Sequence, residues 1–425
     1  MCSHFPGRLV LSALSALSAL VTATACPASF TDVEPDPCRP GDRIGEGEGE
    51  PGPAGMLHVV VDAAGVVTVL ALAALIEPRF SSLSSAPGTL ADVDDDGAID
   101  LVFFSGAGLV LAHNAFSPAP TITIIDDQVT VLQHPRSIEL VDLDDDGDLD
   151  LVVAGRSTVA LRVYPGEAGV FGAPIDLVTI PAGGISDLAS VVVADVDDDD
   201  DLDLAFADGG LAVFLQGPGL TFDKVVVKVA LADPRVVVEV GAGSLHAADV
   251  DGDGFVDLVV GTLAAAAVPI LSADPSILVF PGAGDGSFGD PIASAVGASF
   301  AEVVAGGIAD LDGDGLPDAL TCGTSTLDAC EERVVAFHSG LGAGAFAAGV
   351  PLSLPSLQSA GLADLNGDGV LDFFTANGSS IALGVPGPAF AAPIAAGLDA
   401  PRMVAVVDSD ADGTSELLVV RQSEF

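Results

Sequence analysis

The 425-residue sequence predicts an all-β fold: a seven-bladed β-propeller of four-stranded antiparallel blades, its ring closed by N-terminal strands. Three observations carry this expectation. An acidic loop of the form Asp-x-Asp-x-Asp-Gly-x-x-Asp returns seven times, starting at Asp92, Asp142, Asp195, Asp249, Asp310, Asp364 and Asp408. Successive starts lie roughly 45–60 residues apart, the period of one small antiparallel sheet in a propeller or array. Each loop has an apolar run on either side and a Gly-rich hairpin further on, as in the span Leu245 to Phe288.

The loop itself is readable as a calcium cage. Calcium takes six to eight hard oxygen ligands, and a short loop offers them from alternate positions. In the fourth copy these are Asp249, Asp251 and Asp253, then the carbonyl of Phe255, then Asp257. Gly254 follows the third carboxylate, where the chain turns sharply and positive φ is expected. An EF-hand loop begins in the same way but ends on a glutamate at position twelve between helices. Here the last carboxylate comes at position nine, and Leu258, Val259 and Val260 follow, so the cage is expected on a β-hairpin.

The other copies are close variants: Asp92/Asp94/Asp96/Asp100, Asp142/Asp144/Asp146/Asp150, Asp195/Asp197/Asp199/Asp203 and Asp310/Asp312/Asp314/Asp318. In the sixth, Asn366 stands among Asp364, Asp368 and Asp372, and in the seventh Glu416 closes Asp408, Asp410 and Asp412. In the third, Asp200 occupies the glycine position, so strain is expected there. A single Asp-Gly run is often an ordinary turn; seven at a regular period argue for up to seven structural Ca²⁺ ions.

Strands are expected from Met56 onward. In the fourth repeat, Leu245 to Val250 enters the loop, Leu258 to Gly261 leaves it, Ile277 to Phe280 forms a third strand, and Pro281 to Gly286 turns toward Phe288. Phe171, Phe222, Phe346 and Phe390 follow related turns, and packing between sheets is expected of all of them. After Glu416 only one strand's length remains, whereas Leu57 to Ile76 has Val-rich runs and no loop of its own. Residues 56–80 are therefore expected to complete the last blade, which removes exposed sheet edges. The competing reading of that run, a transmembrane helix, fits poorly with His58, Asp62, Gly65 and the β-branched content.

Residues 1–25 read as a signal peptide: Arg8, an apolar run from Leu9 to Val21, and small residues Ala23-Thr24-Ala25 before the cleavage point. Cys26 then has two readings, a bacterial lipid anchor or a disulfide with Cys38, and Cys322 with Cys330 is a candidate second pair. A zinc site with His338 is the weaker reading, because no CxxC exists. Residues 26–55 are a Pro/Gly/Glu-rich linker and 56–425 the propeller. The expected location is extracellular or at the cell surface, with a bacterial outer-membrane lipoprotein as one form of it.

Composition narrows the function. Net charge is −48, with 13 Lys and Arg against 61 Asp and Glu, so nucleic acid is an unsuitable partner. Much of the charge sits in the loops, where self-repulsion opposes folding without a cation. Absence of Trp argues against a WD-type propeller. No Gly-x-Ser-x-Gly, His-Glu-x-x-His or phosphate loop is present, so no catalytic role is assigned. Three residues before each first Asp stand Thr89, Glu139, Val192, His246, Gly307, Gly361 and Ala405. Glu139 and His246 stand out in that column, either as ligand contacts in a central channel or as polar side chains in a wet one.

With these loops and turns the chain resembles FG-GAP/VCBS repeat proteins, whose propeller also forms the head of integrin α-subunits. The second repeat contains Phe171-Gly172-Ala173-Pro174. The resemblance covers about Met56 to Phe425. It implies calcium loops between the first and second strands of each blade, lying on one face and bracing the fold, with ligands bound elsewhere, often on the opposite face or at blade junctions. The expected work is non-catalytic binding of a glycan or protein by a monomer. A calcium-dependent polysaccharide lyase or hydrolase, or a purely structural surface protein, are the alternatives. Seven loops, where only some integrin blades carry one, and the lack of leg domains depart from the integrin case.

Overall fold

The computed structural model describes residues 55–61, 67–72, 88–105, 108–115, 117, 120–127, 135–155, 159–179, 190–207, 211–227, 240–262, 276–295, 302–324, 333–354, 360–375, 380–385, 387, 389–395, 401–407 and 415–421. The signal segment, Cys26, Cys38, Cys330 and the Asp408, Asp410 and Asp412 part of the seventh loop lie outside these residues.

Apolar β-branched runs broken by Asp-Gly and Pro-Gly turns form strands and hairpins throughout. Blade 1 comprises Gly88–Ala91, Asp100–Ser105, Gly108–His113 and Thr121–Asp126. Blade 2 comprises Pro135–Val141, Asp150–Gly155, Val159–Tyr164 and Ile175–Thr179. Blade 3 is Ser190–Ala194, Asp203–Ala207, Leu211–Gly217 and Thr221–Val227; blade 4 is Val240–Ala248, Asp257–Thr262, Ser276–Phe280 and Ile292–Ala295. Blade 5 is Glu302–Ala309, Asp318–Thr324, Arg333–His338 and Val350–Leu352; blade 6 is Ala360–Ala363, Asp372–Thr375, Ser380–Ala382 and Ile394–Ala395.

Blade 7 joins the two ends of the chain. Pro401–Val407 and Glu416–Arg421 supply its inner strands, and Gly55–Val61 and Val67–Leu72 its outer ones. Gly55–Val61 pairs antiparallel with Glu416–Arg421, with Met56 opposite Val420 and His58 opposite Leu418. The N-terminal run is thus a pair of strands, as the ring-closure argument requires, and not a helix.

The seven four-stranded units are not seven separate sheets. Five stand alone, while blades 5 and 6 form one eight-stranded sheet. The join is a single parallel bridge between Ala305 and Gly361, on the first strands of the two blades. First strands of neighbouring blades contact one another in most of the ring, including blade 7 against blade 1. They are the innermost strands, so this is where two blades come close enough for a backbone bridge.

The core lies between blades. Six apolar clusters fill successive junctions from blades 1–2 through blades 6–7. Second and third strands are therefore covered on both faces: Asp150–Gly155 and Val159–Tyr164 are buried along their full length. Fully burying one Leu or Phe side chain contributes roughly 1.5–3 kcal/mol. The hairpin phenylalanines behave as expected. Phe171, Phe222, Phe288 and Phe390 pack against the junction with the preceding blade, and Phe346 is 5% exposed in the blade 4–5 junction.

Candidate metal centres

Six acidic loops are described, each joining the first strand of a blade to the second. Of the seventh, only Ser415 and the closing Glu416 are described, the latter as the first residue of the second strand of blade 7. The six share one backbone form with two left-handed residues. At position four these are Asp95, Asp145, Asp198, Gly252, Gly313 and Gly367; at position six Gly97, Gly147, Asp200, Gly254, Gly315 and Gly369. Asp200 holds φ of 72°, the conformation that glycine takes in the other copies, so the strain expected of the third loop is present.

Side-chain oxygens organise the turn. The first aspartate accepts from position six in every copy: Gly97 to Asp92, Gly147 to Asp142, Asp200 to Asp195, Gly254 to Asp249, Gly315 to Asp310 and Gly369 to Asp364.

The position-five aspartates, expected purely as ligands, carry a structural bond as well. Asp253 Oδ1 accepts from the Phe255 N–H at 2.9 Å, and Asp314 Oδ1 from the Leu316 N–H at 2.9 Å. Asp96, Asp146, Asp199 and Asp368 accept the position-seven N–H of their own loops in the same way. Asp253 and Asp314 are both exposed, at the outer side of the turn. One oxygen of each carboxylate thus ties down a loop amide, and in Asp253 and Asp314 the second oxygen is left to face an ion. At position three, Asp251, Asp312 and Asn366 accept from the position-five N–H, at 3.1, 3.1 and 3.0 Å. Asn366 Nδ2 also donates to Asp368 Oδ2 at 3.2 Å, so this amide presents only its oxygen to a cation.

Sequence reasoning treated the position-nine aspartate as one more ligand; the structure gives it a second task. Asp100, Asp150, Asp203, Asp257, Asp318 and Asp372 are all buried. One oxygen accepts the position-two N–H of its own loop, as from Val250 at 2.9 Å. The other accepts an N–H at the end of the third strand or just past it: Asn114, Gly166, Gln216, Gly282, Gly340 and Gly384, respectively, at 2.6–2.8 Å. The approach explains why four of these six donors are glycine. A Cβ at Gly282 would sit 2.2 Å from the Val256 carbonyl oxygen, and Gly166, Gly340 and Gly384 meet the same obstacle. Only Gln216 and Asn114 depart from glycine. Gln216 also donates from Nε2 to the Leu143 carbonyl in the loop of blade 2.

The loops lie at blade junctions. Gly286 in the blade 4 hairpin donates to the Val196 carbonyl in the blade 3 loop, and Ser415 of blade 7 donates to the Asp364 carbonyl in the blade 6 loop. A cleft of about 270 Å³ at one such junction has Asp310 and Asp312 of blade 5 facing Val385 and Phe390 of blade 6.

Carboxylate oxygens converge within 4.8 Å of one another in the sets Asp92/Asp94/Asp96, Asp142/Asp144/Asp146, Asp195/Asp197/Asp199 and Asp249/Asp251/Asp257. Like charges this close repel by ~1–4 kcal/mol per pair, depending on how much water screens them. Burial, opposed by the backbone N–H groups, raises the pKa of Asp100, Asp150, Asp203, Asp257 and Asp318, and carries Asp372 to about 6. Asp197 also rises to about 6, through desolvation and then the Asp203 and Asp199 charges. Its Oδ1, and Oδ1 of Asp94, are shielded from solvent and accept no hydrogen bond. A cation would relieve both the repulsion and these orphaned oxygens, so the residues present fit one.

Residues 142–206, from the first aspartate of the second loop into blade 3, match the FG-GAP-like repeat family model. The chain is thus a β-propeller in which one stretch, from the second loop into blade 3, is similar to an FG-GAP-like repeat. No curated protein matches the chain by sequence. Among solved structures, a lectin of Agrocybe aegerita that recognises non-reducing terminal N-acetylglucosamine is 18% identical at a TM-score of 0.54, covering 81% of this chain and 90% of that one. The BBS1N domain in complex with ARL6DN is 11% identical (TM-score 0.49), covering 82% of this chain and 96% of that one. An endo-arabinase from Bacteroides thetaiotaomicron is 17% identical (TM-score 0.34), covering 62% of this chain and 93% of that one. These likenesses concern the fold alone.

The other polar residues of the propeller separate by position. Glu139 lies on an innermost strand, open to solvent yet crowded by protein; that crowding raises its pKa while Ser137 Oγ donates to Oε1 at 2.8 Å. His246 sits in the matching strand of blade 4, half-buried and opposite Val259. His338 is a core residue, 0% exposed, its ring nitrogens on Thr321 Oγ1 and the Ala347 carbonyl, and burial lowers its pKa. That engagement leaves it no free nitrogen for zinc.

Proposed function

We propose that this FG-GAP propeller is a secreted or surface-anchored binding module without catalytic activity, braced by calcium in its acidic loops, whose ligand is a glycan or a protein. The observation that carries it is the recurrence, in six described loops, of one arrangement of carboxylates at the blade junctions. Asp92, Asp94, Asp96 and Asp100 and their counterparts in each loop would hold the ion, which supplies charge neutralisation that binds each loop into its junction. The fold likeness to a glycan-recognising lectin supports the glycan reading. Partner preference is expected to follow the strongly acidic surface, which disfavours nucleic acid.

Calcium bound only by the folded state adds RT ln(1 + [L]/Kd) per site. For Kd of ~10⁻⁴–10⁻³ M, typical of extracellular modules, 10 mM calcium adds about 1.4–2.7 kcal/mol per site. The test is a thermal melt with calcium and with EDTA, paired with retention on a panel of polysaccharides and an assay for cleavage products. A melt unchanged in EDTA, with metal removal verified, would sink the calcium assignment. Cleavage products would replace the binding module by an enzyme.

A further inference from the structure

The first loop differs from the others in its donor set. His113 ends the third strand of blade 1, immediately before Asn114, whose N–H reaches buried Asp100. In the other five described copies the residue in that place is Pro165, Leu215, Pro281, Ser339 or Leu383, and none carries a nitrogen donor. His113 Nδ1 lies 3.1 Å from Asp94 Oδ2 and 3.6 Å from Asp100 Oδ2. Asp94, Asp100 and His113 thus form a convergent set in which every ligand atom is within 4.8 Å of the others. His113 Nδ1 and Asp94 Oδ1 are both shielded from solvent and make no hydrogen bond. Asn114 Nδ2 donates to Asp96 Oδ2 at 2.8 Å, tying the same turn to the loop.

We propose that Asp94, Asp100 and His113 form a mixed nitrogen–oxygen site that takes a zinc-class divalent cation in preference to calcium. This rests on reading the acidic loops as cation sites and assigns the first loop a different ion. Imidazole suits first-row transition ions, while calcium favours oxygen alone. Zinc–ligand bonds of ~2.0–2.2 Å in a tetrahedral site place donor atoms about 3.3–3.6 Å apart. The two His113 distances, 3.1 and 3.6 Å, lie close to that range.

The experiment uses the untagged full chain held in saturating calcium. Zinc is added, excess is removed by gel filtration in the same buffer, and bound metals are counted by mass spectrometry. Cobalt(II) serves in parallel as an optical probe, because nitrogen coordination in a four-coordinate site gives strong visible absorption. One retained zinc per chain is expected, together with a cobalt spectrum. H113Q should retain calcium in the remaining loops and a native circular dichroism spectrum, lose the cobalt spectrum and bind zinc more than ~100-fold more weakly. H246Q, which changes a histidine on another blade, should keep both signals. No retained zinc, or equal retention by H113Q, would overturn the mixed site while leaving calcium binding intact. Loss of calcium and zinc binding together in the parent protein would overturn the cation reading of the loops as well.

Discussion

The buried position-nine aspartate makes a quantitative test. In Asp257→Asn the side chain keeps its size, so no cavity opens. Asp257 is 0% exposed and accepts three N–H groups, from Val250 at 2.9 Å, Asp251 at 3.1 Å and Gly282 at 2.8 Å. An amide has one acceptor oxygen. If that oxygen faces Val250 and Asp251, the amide nitrogen meets the Gly282 N–H, donor against donor. The loss of a charge-assisted hydrogen bond costs about 1.5–3 kcal/mol and an unsatisfied buried donor about 1–3 kcal/mol. Removing a buried charge offsets part of this, leaving a net loss of about 2–4 kcal/mol. For the unit Pro53–Phe425 the unfolding entropy is ~0.8 kcal/mol/K at about 2.1 cal/mol/K per residue, so the melting point should fall by ~2.5–5 °C. The assay is a thermal melt in EDTA and again in calcium. Asp253→Asn is the control, because the exposed Asp253 accepts only one loop N–H, from Phe255, which an amide oxygen also satisfies. It should melt like the parent in EDTA and lose stability only in calcium. If Asp257→Asn matched the parent in EDTA, the tether between loop and third strand would carry no energy and the reasoning would fail.

Three other outcomes are expected. Asp200→Gly should raise the melting point by relieving a left-handed non-glycine residue, a gain of ~1 kcal/mol; a drop in circular-dichroism melts would contradict it. Asp197 and Asp372 have folded-state pKa values of about 6, above the ordinary carboxylate value of 3.8. Their contribution is therefore present below that ordinary value and lost as pH rises through about 6, so calcium-free protein should melt higher at pH 5 than at pH 7.5. A calorimetric series in EDTA that rises with pH would refute this, and calcium should flatten or reverse the trend. Arg162 is 4% exposed and pairs across blades with Asp126 at 2.8 Å, an oxygen that also accepts from Tyr164. Arg162→Met removes the counter-charge of that buried carboxylate and should destabilise by about 3–5 kcal/mol in chemical denaturation; an unchanged midpoint would argue against the pair.

Much of the fold is legible in the chain because its cues are local. The Asp-x-Asp-x-Asp-Gly spacing, the apolar runs and the leftover N-terminal strands are short-range patterns repeated at one period, and they specify blades, loops and ring closure without knowledge of contacts. The left-handed strain at Asp200 is legible for the same reason, since one residue departs from glycine in an otherwise regular column. What the sequence could not determine involves pairs far apart along it. Asp257 reaches Gly282 across 25 residues, and Gln216 reaches Leu143 across 73. The first makes the position-nine aspartate a tether within its blade, and the second ties the acidic loop of blade 2 to the third strand of blade 3. The joining of blades 5 and 6 into one sheet depends on a single bridge between innermost strands, which no periodicity encodes. The meeting of His113 with Asp94 and Asp100 is likewise a tertiary event. The third strand returns beside the loop of its own blade, and only that return brings the imidazole to the carboxylates.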